Sequence, residues 1–193
     1  MSMTTWKPAL RLPVSPERDH IRGPLDAPVT LLEYGDYECP YCGAAHAVVT
    51  AVCEAMGDQL QFVFRHFPLT TVHPHAELAA EAAEAAGAQR KFWAMHDTLY
   101  ENQQQLDPPA LAAYAEAIGL ELTRFISDLQ AHVHQPKVAE DFMSGVRGGV
   151  NGTPSFFING RFFSGALSYE KLREIVEEEL NGARAEPEKT AKR

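Results

Sequence analysis

Val29-Thr30-Leu31-Leu32-Glu33-Tyr34 is an almost unbroken apolar run bounded by Pro28 and Gly35. A strand reads this way when both of its faces are covered, so the run predicts a central strand of an α/β sheet. From Cys39-Pro40 the apolar positions switch to helical spacing as far as about Met56, where Gly57-Asp58 predicts the stop. Leu60 to Phe67 then reads as a second strand, which completes a β-α-β unit. From Pro74 to about Val150 the pattern stays helical. It is Ala-rich from Ala76 to Ala86 and has Phe92, Trp93, Met95 and Leu99 at helical spacing; further segments lie at Leu111 to Ile118, Leu122 to Leu129 and Val138 to Val146. These predict four or five helices and no strand.

Beyond them, Ser155 to Ile158 and Arg161 to Phe163 flank Asn159-Gly160, the strongest short hairpin signal. A closing helix is predicted from about Ser168 to Leu180, with Asn181-Gly182 past its end. Two β-rich parts, 29–67 and 151–182, thus bracket a helical insertion over 68–150 that is far too long to be a loop. Residues 1–28, with five prolines, read as an irregular leader, and 183–193 as a flexible polar tail. No internal repeat is visible. The 193 residues suit one domain carrying a large insertion.

Composition narrows the class. With 45% hydrophobic and 22% charged residues the chain can build a real core, which argues against disorder, collagen-like repeats and coiled coil. Twenty-six acidic against 17 basic side chains leave a net charge of −9, and no segment gathers the cations. Nucleic acid and an anionic membrane are therefore not expected partners. Three cysteines cannot staple a secreted framework. The N-terminal segment has no apolar stretch of signal length and no run of about 18 apolar residues occurs, so the expected compartment is the cytoplasm, although a chain whose leader had been removed would read the same.

Chemistry concentrates at Cys39-Pro40-Tyr41-Cys42, where the buried strand turns into the helix. Pro40 suits the first helical position because its missing N–H would be unpaired there in any case. That puts Cys39 at the cap, its sulfur toward free backbone N–H groups. A helix terminus of this kind lowers a thiol pKa by about one unit, enough to populate the nucleophile at neutral pH. Cys42, one turn further in, suits the resolving role. A Cys-x-x-Cys pair also serves zinc sites, and that alternative stays open here.

Glu33 sits in the middle of the apolar strand, where an unpaired acid is costly; a raised pKa would let it accept and return the proton of Cys42. Gly152-Thr153-Pro154 precedes the Phe-rich hairpin, and a proline there suits a strand's first residue, with a cis bond as one option. His46 leans back toward Cys42 but reads as a hydrogen-bonded helix histidine. Cys53 reads as a small core residue. His73 and His75, like His132 and His134, lack further ligands at zinc spacing and read as capping or solvated side chains. Phe92, Trp93, Met95, Leu99 and Tyr100 read as core.

The stretches RGPLDAPVTLLEYGDYECPYC (22–42), FWAMHDTLYENQ (92–103) and GVNGTPSFFINGRFFSGALSYEKL (149–172) together resemble the DsbA-like branch of the thioredoxin superfamily. The resemblance covers roughly Asp19 to Leu180 and implies a thioredoxin-like fold interrupted by a helical domain. It implies that Cys39 is the nucleophilic and Cys42 the resolving cysteine, and that Glu33 is the buried acid. It also implies that Thr153 and Pro154 form the loop that pairs with an extended substrate, with Pro40 and Tyr41 as further substrate-binding residues.

Two departures qualify it. The dipeptide between the cysteines is Pro-Tyr, as in glutaredoxins, where strongly oxidising members carry Pro-His. This predicts a less acidic Cys39 and a potential nearer about −200 to −230 mV than about −120 mV. The absent export signal also sits poorly with introducing disulfides into secreted proteins.

The expected activity is thiol–disulfide exchange with protein or glutathione mixed disulfides, without a bound cofactor or metal, in a monomer or weak dimer. Three rivals remain: a glutathione-dependent transferase or isomerase on a related fold, a zinc or copper module using Cys39, Cys42 and His46, and a binding or chaperone-like role for the helical insertion.

Overall fold

The computed structural model describes the backbone of residues 8–190 and the side chains of residues 8–182. Two strands form its centre. Strands β2 (Val29–Gly35) and β3 (Leu60–His66) pair in parallel, from Val29 opposite Leu60 to Gly35 opposite His66. Parallel neighbours need a long crossover. Helix α1 (Pro40–Met56) supplies it, ending at Gly57, whose φ of 51° suits glycine, followed by one 3₁₀ turn. Nearly every residue of both strands is buried, which is why they read as continuous apolar runs.

Strands β4 (Ser155–Ile158) and β5 (Arg161–Phe163) form the predicted hairpin. Asn159 and Gly160 both take positive φ at its tip, 48° and 76°, and β4 lies antiparallel to β2 with Phe156 opposite Glu33. The period of two assigns the faces. Leu31, Phe62, Phe64 and Phe156 join the larger core beneath α1, together with Leu172 and Val176 of α7 (Tyr169–Thr190). Leu32, Tyr34, Val63 and Phe157 face the opposite core with Phe67 and Phe142.

Between β3 and β4 run five helices: α2 (Ala76–Gly87), α3 (Phe92–Glu101), α4 (Pro108–Ala117), α5 (Leu122–Gln130) and α6 (Gln135–Gly148). Small alanines let α2 lie at the centre of this layer, where Ala79, Ala82, Ala83, Ala85 and Ala86 are fully buried. Its two buried acids are each partnered. His132 meets Glu81 at 2.9 Å; His20 and His66 meet Glu84 at 3.0 and 2.9 Å. Burial pushes the Glu84 carboxyl up, and the two histidine hydrogen bonds outweigh it, so it stays well below the usual carboxylate range.

Two expectations need correction. The leader is not wholly irregular: His20–Arg22 form β1, an edge strand antiparallel to β3, giving the sheet order β1-β3-β2-β4-β5. Three residues are too few for alternation to register in sequence. What holds them is distant: Arg65 on β3 makes a buried bidentate pair with Asp19 at 2.9 and 3.0 Å and donates to the carbonyls of Leu12 and Pro13. The closing helix also does not stop at Asn181-Gly182 but continues to Thr190, into the segment expected to be a flexible tail. Gly182 keeps helical backbone here, and glycine ends a helix only where it takes a positive φ.

Candidate active site

The Cys39–Cys42 pair sits at the junction of β2, α1 and the turn before β4. Cys39 caps α1 with extended backbone (φ −74°, ψ 120°), and its carbonyl accepts the N–H groups of Cys42 and Gly43 at 3.0 and 3.1 Å. Its sulfur lies 3.5 Å from the Thr153 carbonyl, and the Thr153–Pro154 peptide is cis. Cys39 is 3% exposed and Cys42 0%. Cys39 thus reaches solvent through a small window and Cys42 not at all.

The two thiols are driven in opposite directions. A hydrogen bond from Cys42 is the main cause that brings Cys39 down to about 5. Burial works against that shift, while the N–H groups of Cys42 and Tyr41 and the Thr153 hydroxyl, which has no other partner, work with it. The lowering exceeds the one unit expected of a helix terminus because the neighbouring thiol contributes most. Burial, the bond to Cys39 and the Glu33 carboxyl push Cys42 far above the ordinary thiol range.

Glu33 lies on the face of β2 that α1 covers. It is 2% exposed, and its Oε1 is buried without a partner. Burial first, and the nearby Cys39 charge second, raise its carboxyl to about 8.

Pro40 and Tyr41 project outward, Tyr41 being 75% exposed. Tyr41, Ala45, Val48, Pro154, Phe156, Phe163 and Leu167 line a groove of about 470 Å³ running from the cysteines along the hairpin. The structure therefore brings together Cys39, Cys42, Glu33, Pro40, Tyr41, Thr153 and Pro154.

His46 is not part of this group. It stacks on Tyr100 with ring centroids 4.9 Å apart, its Nε2 lies 3.8 Å from Asp97, and burial lowers its pKa. Among the described residues, the sets of three metal-capable side chains whose ligand atoms approach within 4.8 Å are His46, His96, Asp97 and His66, Glu84, Asp141; neither contains a cysteine. Cys53 is half-buried among the core residues, and burial pushes its thiol up to about 11. His134 meets Asp128 at 3.4 Å. Phe92, Met95, Leu99 and Tyr100 are buried in the core, with Trp93 packed against it.

Sequence reasoning missed three supports of the site. Asp36 holds the loop before Cys39: its carboxylate accepts the N–H groups of Glu38 and Leu69, both at 2.8 Å, and its carbonyl accepts Cys39 N–H at 3.2 Å. Gln103 reaches across from the end of α3 and donates to the carbonyls of Tyr37 and Cys39 at 2.8 and 2.9 Å. Gly43 makes room for it, since a Cβ there would fall 2.0 Å from the Gln103 amide. Tyr37 is buried between β3 and α3, its ring against Phe64 and Tyr100 and its hydroxyl 3.0 Å from His96 Nδ1. A short polar side chain three residues before a helix cap was a usable signal for Asp36; nothing local marked Gln103 or Tyr37.

The family profile described as Thioredoxin matches residues 15–178. Among curated proteins, the chain is 48% identical over 180 residues to the Na(+)/H(+) antiporter NhaA 1 of Salinispora arenicola and 46% over 181 to NhaA 3 of Salinispora tropica. The alignments cover 92% and 93% of this chain but 27% of each antiporter, so the chain spans about a quarter of the length of these relatives. No helix among the described residues is long and apolar enough to cross a membrane.

Among solved structures, a thioredoxin-like oxidoreductase from Silicibacter pomeroyi is 27% identical with a TM-score of 0.75, over 89% of this chain and 94% of that one. BdbD from Bacillus subtilis (24% identical, TM-score 0.78, covering 91% and 96%) and alpha-DsbA1 of Wolbachia pipientis (20%, 0.78, 92% and 97%) share the fold. With the profile spanning most of the chain and these structures sharing its fold along almost all of it, this protein belongs to the thioredoxin family.

Proposed function

We propose that this protein is a thiol–disulfide oxidoreductase that cycles Cys39 and Cys42 between dithiol and disulfide. The observation that carries the reading is the opposite tuning of two adjacent thiols beside a buried acid. Cys39 is held toward the thiolate, while Cys42 is held as a thiol with Glu33 near it.

In the reducing direction Cys39 Sγ attacks one sulfur of a substrate disulfide, the S–S bond breaks, and the departing thiolate takes a proton from solvent. Cys39 is then in a neutral mixed disulfide. The charge that helped to raise Glu33 is gone, so its carboxyl can ionise and accept the Cys42 proton. Cys42 attacks Cys39 Sγ and releases the second substrate thiolate. Two electrons have passed to the substrate, and the enzyme holds a Cys39–Cys42 disulfide; the same steps in reverse oxidise a dithiol.

The turn at Thr153-Pro154 and the apolar groove beside it suit an extended protein or peptide chain carrying the disulfide, seated over Tyr41 and Pro40. Glutathione mixed disulfides are a second substrate class for the same atoms. A Cys39 pKa of about 5 lies between those of about 3.5 and about 7 found in strongly oxidising and reducing relatives, so a midpoint near −200 mV is expected.

The test is a titration against defined ratios of reduced to oxidised glutathione, with alkylation of free thiols and mass analysis of each cysteine. Paired conversion of Cys39 and Cys42 with Cys53 left free supports the reading; zinc protection, or no pairing, overturns it.

The identity to antiporter proteins favours a second reading of the partner: that this exchange site serves a cation transporter. A Cys42→Ser variant cannot resolve its mixed disulfides, so it would retain such a partner covalently for identification.

A further inference from the structure

Asp36 connects two things that are far apart in sequence. Its carbonyl holds the N–H of the nucleophilic cysteine at 3.2 Å, and its buried carboxylate accepts Nδ1–H of His73 at 2.8 Å. A second clasp lies alongside, where the N–H and Nδ1–H of His75 meet the Glu38 carboxylate at 2.7 and 2.9 Å. The loop between β3 and α2 is thereby fastened to the loop that carries Cys39. Both histidines line a polar cleft of about 340 Å³ beside Pro40, together with Glu38, Gln103 and Asp107.

We propose that His73, pinned to Asp36, is a positioning residue whose imidazolium supplies the positive charge beside Cys39. The inference rests on the thiol-exchange reading and adds to it a residue more than thirty positions from the cysteines. An imidazole whose Nδ1–H is engaged by a buried carboxylate keeps Nε2 free to hold a proton. The charges facing it are Asp36, Glu38 and Asp107, with His75 paired to Glu38 and Cys39 at the helix cap. Burial alone would discharge His73, and the bond and charge of Asp36, with the charges of Cys39 and Glu38, outweigh it, so its pKa is raised. Coupling between two titrating groups is reciprocal, so a thiolate that favours the imidazolium is itself favoured by it to the same degree.

Oxidation removes the thiolate, and the histidine must respond. In the wild-type protein, the His73 ring titrated by NMR should have a pKa about half a unit to one unit higher in the reduced than in the oxidised form. His73→Asn, which keeps a donor to Asp36 but no charge, should raise the Cys39 pKa by the same increment, read from thiolate absorbance. It should also raise the ratio of oxidised to reduced protein at fixed glutathione by about three- to tenfold. His73→Lys should restore most of the wild-type ratio. A merely structural role for the Asp36 bond would leave the Asn variant at the wild-type potential.

An identical His73 pKa in the two redox states, or an unchanged Cys39 pKa in a folded His73→Asn protein, overturns the inference while leaving thiol exchange intact. Failure of wild-type Cys39 and Cys42 to pair overturns the underlying reading instead.

Discussion

Helix α1 and its N-cap carry all three cysteines, and the two ends treat them in opposite ways. At the first turn Cys39 is drawn down to about 5, whereas three turns past Cys42, Cys53 is pushed up to about 11. The residue type is the same and both sulfurs are largely covered. The difference lies in what surrounds them: a neighbouring thiol, the first N–H groups of the helix and the Thr153 turn at one end, apolar side chains at the other. Reactivity here is a property of the junction between helix start, strand end and hairpin turn, and the thiol only expresses it.

The sharpest way to break this comparison is to remove the sulfur at one end. Cys39→Ala should lower exchange with a model disulfide by about a thousandfold or more, because no other thiol in the site is both ionised and accessible. Cys42→Ala should leave the first step running. It should also raise the Cys39 pKa by one unit or more, since the leading cause of the lowering is the Cys42 hydrogen bond. Thiolate absorbance against pH reads this directly.

Glu33→Gln is next in size. Loss of the proton acceptor should slow release of the mixed disulfide by about a hundredfold, with the attack step little changed, in single-turnover experiments. Its stability effect has a definite sign. The folded carboxyl titrates near 8 and the unfolded one near 4.5, so the native state holds a proton that the unfolded state loses as pH rises between them. The Glu33 contribution should therefore be lost progressively from about pH 4.5 to 8, by up to a few kcal/mol, while the lowered Cys39 thiol contributes with the opposite sign over nearly the same range, so the difference between wild type and the Gln variant is the quantity to read. The Gln variant should be the more stable protein at pH 8 and no different at pH 4. Denaturant midpoints at the two pH values check this.

Much of this chemistry was legible in the sequence, and the unread part follows a rule. Cys39, Cys42, Glu33, Thr153 and Pro154 all lie in or beside elements whose periodicity or turn residues mark them, so locating the elements located the residues. Asp36, Gln103 and His73 act through hydrogen bonds to backbone or side chains up to 66 residues away, and no local pattern records such a contact. Strand β1 escaped for the same reason, being held by β3 and the Arg65–Asp19 pair.

The Gln103 strut offers a smaller perturbation at the reactive end. In Gly43→Ala the new methyl would meet the Gln103 amide, which can swing away only by giving up its bonds to the Tyr37 and Cys39 carbonyls. Two such bonds are worth about 1 to 2 kcal/mol together, which for a chain of this size lowers Tm by about 3 to 6 °C. Exchange should fall by no more than about tenfold, because the cysteines themselves stay in place. A Tm equal to wild type would mean that Gln103 is not holding the cap.

The smallest effect belongs to the far end of the helix, and it sharpens the comparison best. Cys53→Ser should leave exchange within about twofold of wild type, yet Cys53 need not be chemically silent. At pH 7 a thiol of pKa near 5 is almost wholly ionised and one near 11 is ionised to about one part in ten thousand. The more basic thiolate is also the better nucleophile, by about 500-fold for six units at a Brønsted slope near 0.45. The two factors leave Cys39 only about twentyfold faster toward iodoacetamide at pH 7. At pH 9 Cys53 is ionised about a hundred times more and should overtake Cys39, so mass-resolved alkylation rates are expected to cross between these values. If Cys39 stays ahead at pH 9, ionisation is not what separates the two ends of α1.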